Sequence, residues 1–430
     1  MSAEHLPDRE STFAPELLAQ HQLELLQASL NRAHKMVPFY RERFHENGAA
    51  PQDVEKLEDL ARLPFVRRED LAAHYPYGMF AVPLRDIVRI HTASGAGNKP
   101  SVTGYTKNDL ALWKTVVGRA LKAAGVNDQD IVQIHLDSGL ANWGRDYKDA
   151  AEALEASVIP LTPLSLQKQM MVLSDYRTTV LVTTPVSAGE LLESLARSGA
   201  APGNLAVKTL ILVGEPAEAK LRERIEKELS LTTWNHWGLH EVPGPAIAFE
   251  CEAHDGLHVS EDSFYLEIVD PETGKPAKEE GEIVLTTLST RAFPLIRFRT
   301  GDRAKIISAP CPCGRTLKRI RWLSGRTDGM ALIRGVKIHP SQVLAIVEGI
   351  LGFVPLSCRL FAPAKEAGQG LEVRLGMDDR LFSDEVKELE KMMAGVEAGL
   401  RAELGVPVRV RLMEQSADVC ANQALMQEPE

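Results

Sequence analysis

Two short stretches set a basic side chain close to an acid, Arg299-Thr-Gly-Asp302 and Gly325-Arg-Thr-Asp328. A carboxylate only accepts hydrogen bonds, so Asp302, following a glycine in a turn after an extended segment, suits the paired hydroxyls of a ribose. Arg326 can reach the same nucleotide from the other side. A third stretch runs Ser94-Gly-Ala-Gly-Asn-Lys99. Gly95 and Gly97 permit positive φ and close approach, so backbone N–H groups from Ser94 to Asn98 can converge on phosphate oxygens while Lys99 supplies a cation. Its spacing is not that of a Walker A loop.

Gly214, Glu215 and Pro216 follow an apolar strand-like run, the place where open α/β sheets bind ligands. Trp237-Gly238-Leu-His240-Glu241 ends the next such run, and Glu241 is the hard oxygen ligand Mg²⁺ takes beside a nucleotide triphosphate. Cys311-Pro-Cys313 aims two thiols at one point, and Cys251 with His258 offers two more soft ligands. Four N/S ligands are what a tetrahedral structural zinc requires. Cys358 and Cys420 have no such company and read as core and tail. Each motif also has a plainer reading: a turn aspartate, a surface arginine, a flexible glycine loop, a helix-start carboxylate, two buried free cysteines.

The elements that would carry these groups follow from periodicity. Leu17, Leu18, Leu23, Leu25, Leu26 and Leu30 predict a helix over Pro15 to Val37. A strand at Val88 to His91 leads into the glycine loop, after which Thr106 caps a helix that Gly125 ends, giving the order strand, glycine loop, helix. Ile131 to Leu136, Val180 to Thr183 and Thr209 to Val213 suit parallel strands with crossover helices, and Pro216 opens a charged helix. From Phe249 the pattern turns to hairpins, at Leu257–Val259, Tyr265–Val269 and Glu282–Thr287, which predicts a smaller β-rich subdomain. After Asp328 come an apolar run Ala331 to Ile333, a helix from Ser341, strands Val354–Phe361 and Leu371–Leu375, a helix Ser383–Leu404 and a strand Val408–Leu412. Residues from Ser416 read as a frayed end.

A chain of 430 residues suggests more than one domain. It is 44% hydrophobic and 25% charged, with no apolar run long enough to span a bilayer, and its first ten residues lack signal-peptide character. A cytoplasmic address without a membrane partner is the expectation. The net charge of -10 with no basic stripe argues against nucleic acid as a partner.

Phe39-Tyr-Arg-Glu-Arg, Leu63-Pro-Phe, Glu69-Asp-Leu, Gly214-Glu-Pro, Gly238-Leu-His-Glu-Val, Pro294-Leu-Ile-Arg-Phe-Arg-Thr-Gly-Asp, Cys311-Pro-Cys-Gly, Gly325-Arg-Thr-Asp and Ile333-Arg-Gly-Val together resemble the phenylacetate-CoA ligase family, a branch of the adenylate-forming acyl-CoA synthetases. The resemblance runs from about Leu23 to about Leu412. It implies an α/β fold, with a large N-terminal domain (1–327) of mostly parallel sheets flanked by helices plus the β-rich subdomain, and a small mobile α+β C-terminal domain (329–430) hinged at Asp328. It further implies that an aromatic carboxylic acid is activated by ATP and Mg²⁺ to an acyl-adenylate and passed to CoA. Asp302 and Arg326 would hold ribose, Glu241 Mg²⁺, and Gly214, Glu215 and Pro216 would flank adenine. The acid would sit near Trp143–Ala151 and Gly238–Pro245, and analogy with relatives implies a homodimer.

Three departures bear on activity. The family's phosphate loop carries two threonines that Ala96 and Gly97 replace, with Asn98 able to donate one bond back. His240 replaces a small hydroxyl, either facing the α-phosphate or filling acid space. The family's adenylation lysine near the C-terminus is missing, since no lysine follows Lys391. Impaired adenylation is therefore expected, with the thioester step spared. Lys337, where many relatives carry Asn, is a candidate substitute cation on a loop suited to CoA phosphates, or else a solvated surface lysine. The competing function is a degenerate ligase fold that binds nucleotide, acyl-CoA or aromatic acid without turnover.

Overall fold

A computed structural model describes residues 12–93, 99–136, 140–160, 165–198, 205–242, 244–333, 336–355, 357–361, 370–376, 386–413 and 425–427. The expectations on Ser94, Gly95, Ala96, Gly97, Asn98 and Cys420 lie outside the described residues.

The leucine spacing does form a helix, Pro15–Met36, which buries Leu18, Leu26 and Leu30 and leaves Leu17 in solvent. Polar residues on the same helix tie it to the main body: Gln22 Nε2 donates to Glu261 O at 2.9 Å and Ser29 Oγ to Thr287 O at 3.1 Å.

The predicted parallel strands are Ile131–Ile134, Val180–Thr183, Thr209–Val213 and Thr232–Trp237, joined by Ser157–Ile159, a strand too short to announce itself by pattern. Helices Ala141–Ala153, Leu166–Asp175, Pro185–Ser198 and Ala219–Leu229 alternate with them. The hairpin-rich region is joined to this parallel part. Its strands extend the same sheet, which runs from edge to edge as Phe264–Val269, Glu280–Thr287, Phe298–Ile307, Arg319–Arg326, Leu257–Val259, Ala248–Glu250, Thr232–Trp237, Thr209–Val213, Val180–Thr183, Ile131–Ile134 and Ser157–Ile159. The free edge of Thr232–Trp237 is satisfied by Ala248–Glu250, with His236 opposite Phe249, and every pairing beyond that point is antiparallel. The sheet is thus parallel where the helices flank it and antiparallel in the hairpin-rich part.

The glycine stretch also sits differently from expectation. Arg89–Ala93 returns as an antiparallel strand, Ser101–Tyr105, and only then does helix Lys107–Ala123 begin. Thr106 is the cap, its Oγ1 accepting from Asp109 N at 3.2 Å while the Asp109 carboxylate takes Thr106 N. A hairpin, not a helix N-terminus, therefore carries the loop.

Beyond Asp328 a small α+β unit has its own core, built on Ile338, Val343, Val347, Leu360, Val373, Leu375, Val396 and Leu400. Its sheet runs Val408–Met413, Leu371–Gly376, Cys358–Phe361, Leu425–Gln427, with helices Pro340–Leu351 and Val386–Leu404. Leu425–Gln427 pairs in parallel with Cys358–Phe361, so these three residues are not frayed: the exposed edge of Cys358–Phe361 offers them a ladder. Among the described residues, no helix is long and apolar enough to cross a membrane.

Candidate functional site

Asp302 and Arg326 lie on adjacent antiparallel strands, directly opposite each other, with the register shifting just after Asp302. Asp302 is therefore a strand residue, not a turn residue. Gly301 before it sits at φ 77, and a Cβ there would run into the Asp328 carboxylate and the Arg326 guanidinium. Only glycine allows both that φ and that approach.

Arg326 is the hub. Its Nη1 bonds Asp302 Oδ1, its Nε and Nη2 grip Asp328 at 2.9 and 2.7 Å, and Nη2 also donates to Thr300 O at 2.6 Å. Burial alone would lower the guanidinium's pKa, but the Asp302 and Asp328 carboxylates outweigh it and raise the pKa. Asp328 receives the mirror effect: burial raises it, and Arg326 and Arg68 bring it down to about 2.

The sequence motifs gave no warning of Arg68. It sits in the short helix Arg68–Ala73, held against the sheet because Val66 N donates to Arg297 O at 3.1 Å and Arg299 N to Val66 O at 2.9 Å. Its guanidinium lies over the Phe298 ring, 5.4 Å from the centroid. From there Nε reaches Glu241 Oε1 and Nη1 reaches Asp328 Oδ2, both at 2.9 Å. The quoted motifs Leu63-Pro-Phe and Glu69-Asp-Leu bracket it, but its partners are 173 and 260 residues away.

Lys337 is not a solvated surface lysine. The hairpin Ala331–Ile333/Val336–Ile338 buries it, and Nζ stands 3.5 Å from Glu241 Oε2. Glu241 is wholly enclosed. Burial pushes its pKa up, yet the charges of Lys337, Arg68 and His240 more than offset this and hold it well below the usual carboxylate range. One connected network thus runs Lys337, Glu241, Arg68, Asp328, Arg326, Asp302.

The two regions expected to hold the acid do meet. The His240 ring stacks on Trp143, centroids 4.5 Å apart at 18°. Behind them Tyr147 Oη bonds His236 Nδ1 at 2.8 Å in full burial. Gly238 allows the backbone of Gly244 and Pro245 to lie where a Cβ would stand. Trp237 is fully enclosed in the main core.

Gly214, at φ 93, turns the chain off strand Thr209–Val213, and Glu215 Oε1 accepts from Val186 N at 3.3 Å. Pro216 borders a cleft of about 600 Å³ whose wall carries the Arg222–Glu250 ion pair and whose lining includes none of Glu241, Asp302 or Lys337. Lys99 is exposed, two residues before the return strand of the hairpin begins.

Cys251, His258, Cys311 and Cys313 converge, their ligand atoms all within 4.8 Å of one another. Cys251 Sγ lies 3.5 Å from Cys311 Sγ, and Cys313 Sγ 3.3 Å from His258 Nε2. His258 Nδ1 faces Leu317 O at 3.3 Å, a contact that orients Nε2 toward the thiols. Three thiols and one imidazole on a common centre fit a closed tetrahedral zinc site.

No protein-family model matches the chain. It is 40% identical over 341 residues to a phenylacetate-coenzyme A ligase of Pseudomonas putida, spanning 79% of this chain and 77% of that one. Against the phenylacetate-coenzyme A ligase of Thermus thermophilus the identity is 36% over 418 residues, 94% of each chain. Among solved structures it is similar to 2-hydroxyisobutyryl-CoA ligase in complex with 2-HIB-AMP and CoA in the thioesterification state, with TM-score 0.87, 25% identity, and 98% and 92% of the two chains covered. The same ligase in the postadenylation state gives a TM-score of 0.70 at 25% identity, covering 98% of this chain and 91% of that one.

Proposed function

The chain belongs to the phenylacetate-coenzyme A ligase family, and from that premise we propose that it activates an aromatic, arylacetate-type acid with ATP and passes the acyl group to CoA. The observation that carries this reading is the ion network that gathers Asp302, Arg326, Asp328 and Glu241 from distant segments into one place. Asp302 and Arg326 take the ribose, and Gly214 to Pro216 border the adenine. Trp143 and His240 form an aromatic wall for the acid, which narrows the pocket.

Glu241 fits a hard divalent cation: it is a fully buried carboxylate whose Oε2 has no hydrogen-bond partner. When bound there, Mg²⁺ would neutralise the charge of the outer phosphates. The chain's own contribution is to position groups and to hold fixed charges where negative charge develops. Asp328, flanked by Gly325 at φ 82 and Gly329 at φ 65, serves as the hinge about which the small unit turns between the two half-reactions.

Adenylation is the slow half. Ala96 and Gly97 stand where the resemblance puts two phosphate-loop threonines, and Ser416 to Gln423 offer no lysine where it puts the adenylation lysine; loss of a cation aimed at developing phosphate charge costs about 100- to 1,000-fold. The Cys₃His cluster holds a structural zinc that ties strand Leu257–Val259 to the turn after Phe298–Ile307. The test is exchange of labelled pyrophosphate into ATP across a panel of aryl and short-chain acids. Exchange that is weak but dependent on an arylacetate is the expected outcome, and no exchange with any acid together with no stabilisation by millimolar Mg·ATP would favour a binding protein.

A further inference from the structure

The two oxygens of buried Glu241 face cations drawn from opposite ends of the chain. Arg68 Nε bonds Oε1 at 2.9 Å, while Lys337 Nζ stands 3.5 Å from Oε2. The second contact is an ion pair without a formed hydrogen bond: Oε2, Nζ and also Arg68 Nη2 are buried with no hydrogen-bond partner. Arg68 and Glu241 belong to the large unit, whereas Lys337 arrives on the hairpin beyond Asp328. An ammonium is strongly hydrated, and burying it is unfavourable unless an equally buried anion meets it. Glu241 is that anion, and Oε2 is also the oxygen a divalent cation would take.

We propose that Lys337 is a built-in counter-ion that takes the divalent cation's place on Glu241 whenever the small unit docks as it does here, so that this docking and metal binding at Glu241 exclude each other. This deepens, and rests on, the reading of Glu241 as the metal-facing carboxylate. Two cations brought onto one carboxylate oxygen repel strongly where water is excluded. Metal entry therefore expels Lys337, and a buried lysine without its partner is unfavourable enough to undock the hairpin. Departure of pyrophosphate with its metal restores the anion, and Lys337 returns. Lys337 is in this sense a positioning residue that orders the two half-reactions. The chain is more similar to a relative in its thioesterification state than to the same relative in its postadenylation state, TM-score 0.87 against 0.70, so the docking seen here is like that of the thioester-forming step.

The experiment is a Mn²⁺ titration read by the paramagnetic resonance of the free ion, with and without ATP, on the full chain and on Lys337→Gln, Lys337→Arg and Glu241→Gln. Without nucleotide, K337Q should bind Mn²⁺ about tenfold or more tightly than the unmodified chain, because the internal competitor is gone. K337R, which keeps a cation, should bind as weakly as the unmodified chain, and adding E241Q to K337Q should abolish the gain. If E241Q weakens Mn·ATP binding but K337Q binds free Mn²⁺ no better than the unmodified chain, the metal site stands and Lys337 is not its competitor. If E241Q leaves Mn·ATP binding untouched, the reading of Glu241 fails and the exclusion with it. A measurement free of variants guards against misfolding: amide exchange in Val336–Ile338 should be faster with Mg·ATP than with ATP and a chelator, and equal rates would overturn the exclusion.

Discussion

Asp302 and Arg326, 24 residues apart in sequence, are direct cross-strand partners whose side chains join through Nη1 and Oδ1. The two motifs that first suggested a nucleotide are thus one structural feature. The antiparallel pairing of Phe298–Ile307 with Arg319–Arg326 makes them so, and the same guanidinium then reaches Asp328, at the junction with the small unit.

Asp302→Asn keeps the side chain's shape and leaves Arg326 paired with Asp328, and it should remove most of the stabilisation given by Mg·ATP. A ligand selective for the folded chain stabilises it by mass action, by about 2.7 kcal/mol at a hundredfold excess over its dissociation constant, and so raises the melting temperature. Melting curves with and without nucleotide check this, and an unchanged nucleotide shift in the variant would remove Asp302 from the ribose site.

Arg326→Ala should be more damaging, because it strands the buried Asp302 carboxylate and leaves half-buried Asp328 with Arg68 alone. Removing one partner of a buried ion pair costs about 3–5 kcal/mol. Denaturant unfolding measures it, and a loss under about 1 kcal/mol would mean that the network contributes little beyond what surface pairs do.

Gly301→Ala forces a side chain into φ 77 and against the Asp328 and Arg326 side chains. The expected loss is about 1–3 kcal/mol in stability, with weaker nucleotide binding from the displaced clamp. Gly349→Ala provides the control, since a Cβ added there would meet nothing within 4 Å and the residue sits in a helix. Equal effects at the two positions would contradict the close-approach argument.

Metal analysis of the purified chain should give about one zinc, the stoichiometry of a single Cys₃His centre. A strong chelator should lower the melting temperature, and Cys311→Ser should lose both the metal and the chelator effect. Metal content far below stoichiometric in both proteins would remove the zinc.

Stability should fall on acidification through buried neutral histidines. Burial takes His236 from 6.5 down to about 3, with Glu250 opposing, and takes His91 down to about 4 with help from Arg89 and Arg145. A histidine whose pKa is lower in the folded state stays unprotonated there while the unfolded chain takes up a proton. Its stabilisation is therefore complete above 6.5 and is lost as pH falls toward the folded value. His236→Gln, which keeps a partner for Tyr147, should flatten the stability curve between pH 6 and pH 4 by about 1.4 kcal/mol per pH unit. A slope equal to that of the unmodified chain would show that His236 is not the group responsible.

Much of this was legible in the chain itself. Val180–Thr183 and Thr209–Val213 fall where short apolar runs put them, because a buried strand needs little more than apolar residues on both faces. The converging Cys251, His258, Cys311 and Cys313 were legible as two pairs, since a Cys-x-Cys turn already half-builds a centre. Arg68 and the burial of Lys337 were not, because their meaning lies wholly in partners set by tertiary packing: a six-residue helix and a three-residue strand carry no signal of a carboxylate far along the chain. The strand character of Asp302 was hidden by Gly301, which reads as a turn but marks a bulge in a continuous strand. Continuity of the sheet past Thr232–Trp237 was hidden for a similar reason. Hairpin signals are the same whether strands start a new sheet or extend an old one.

The central claim is tested most directly by incubating the chain with phenylacetate, ATP, Mg²⁺ and CoA and measuring AMP and acyl-CoA, beside a parallel reaction started from synthetic phenylacetyl-adenylate and CoA. The account predicts equal amounts of AMP and thioester in both, with the reaction from adenylate about 100-fold or more faster. Thioester from neither mixture, across the acid panel and with zinc-replete folded protein, would contradict it.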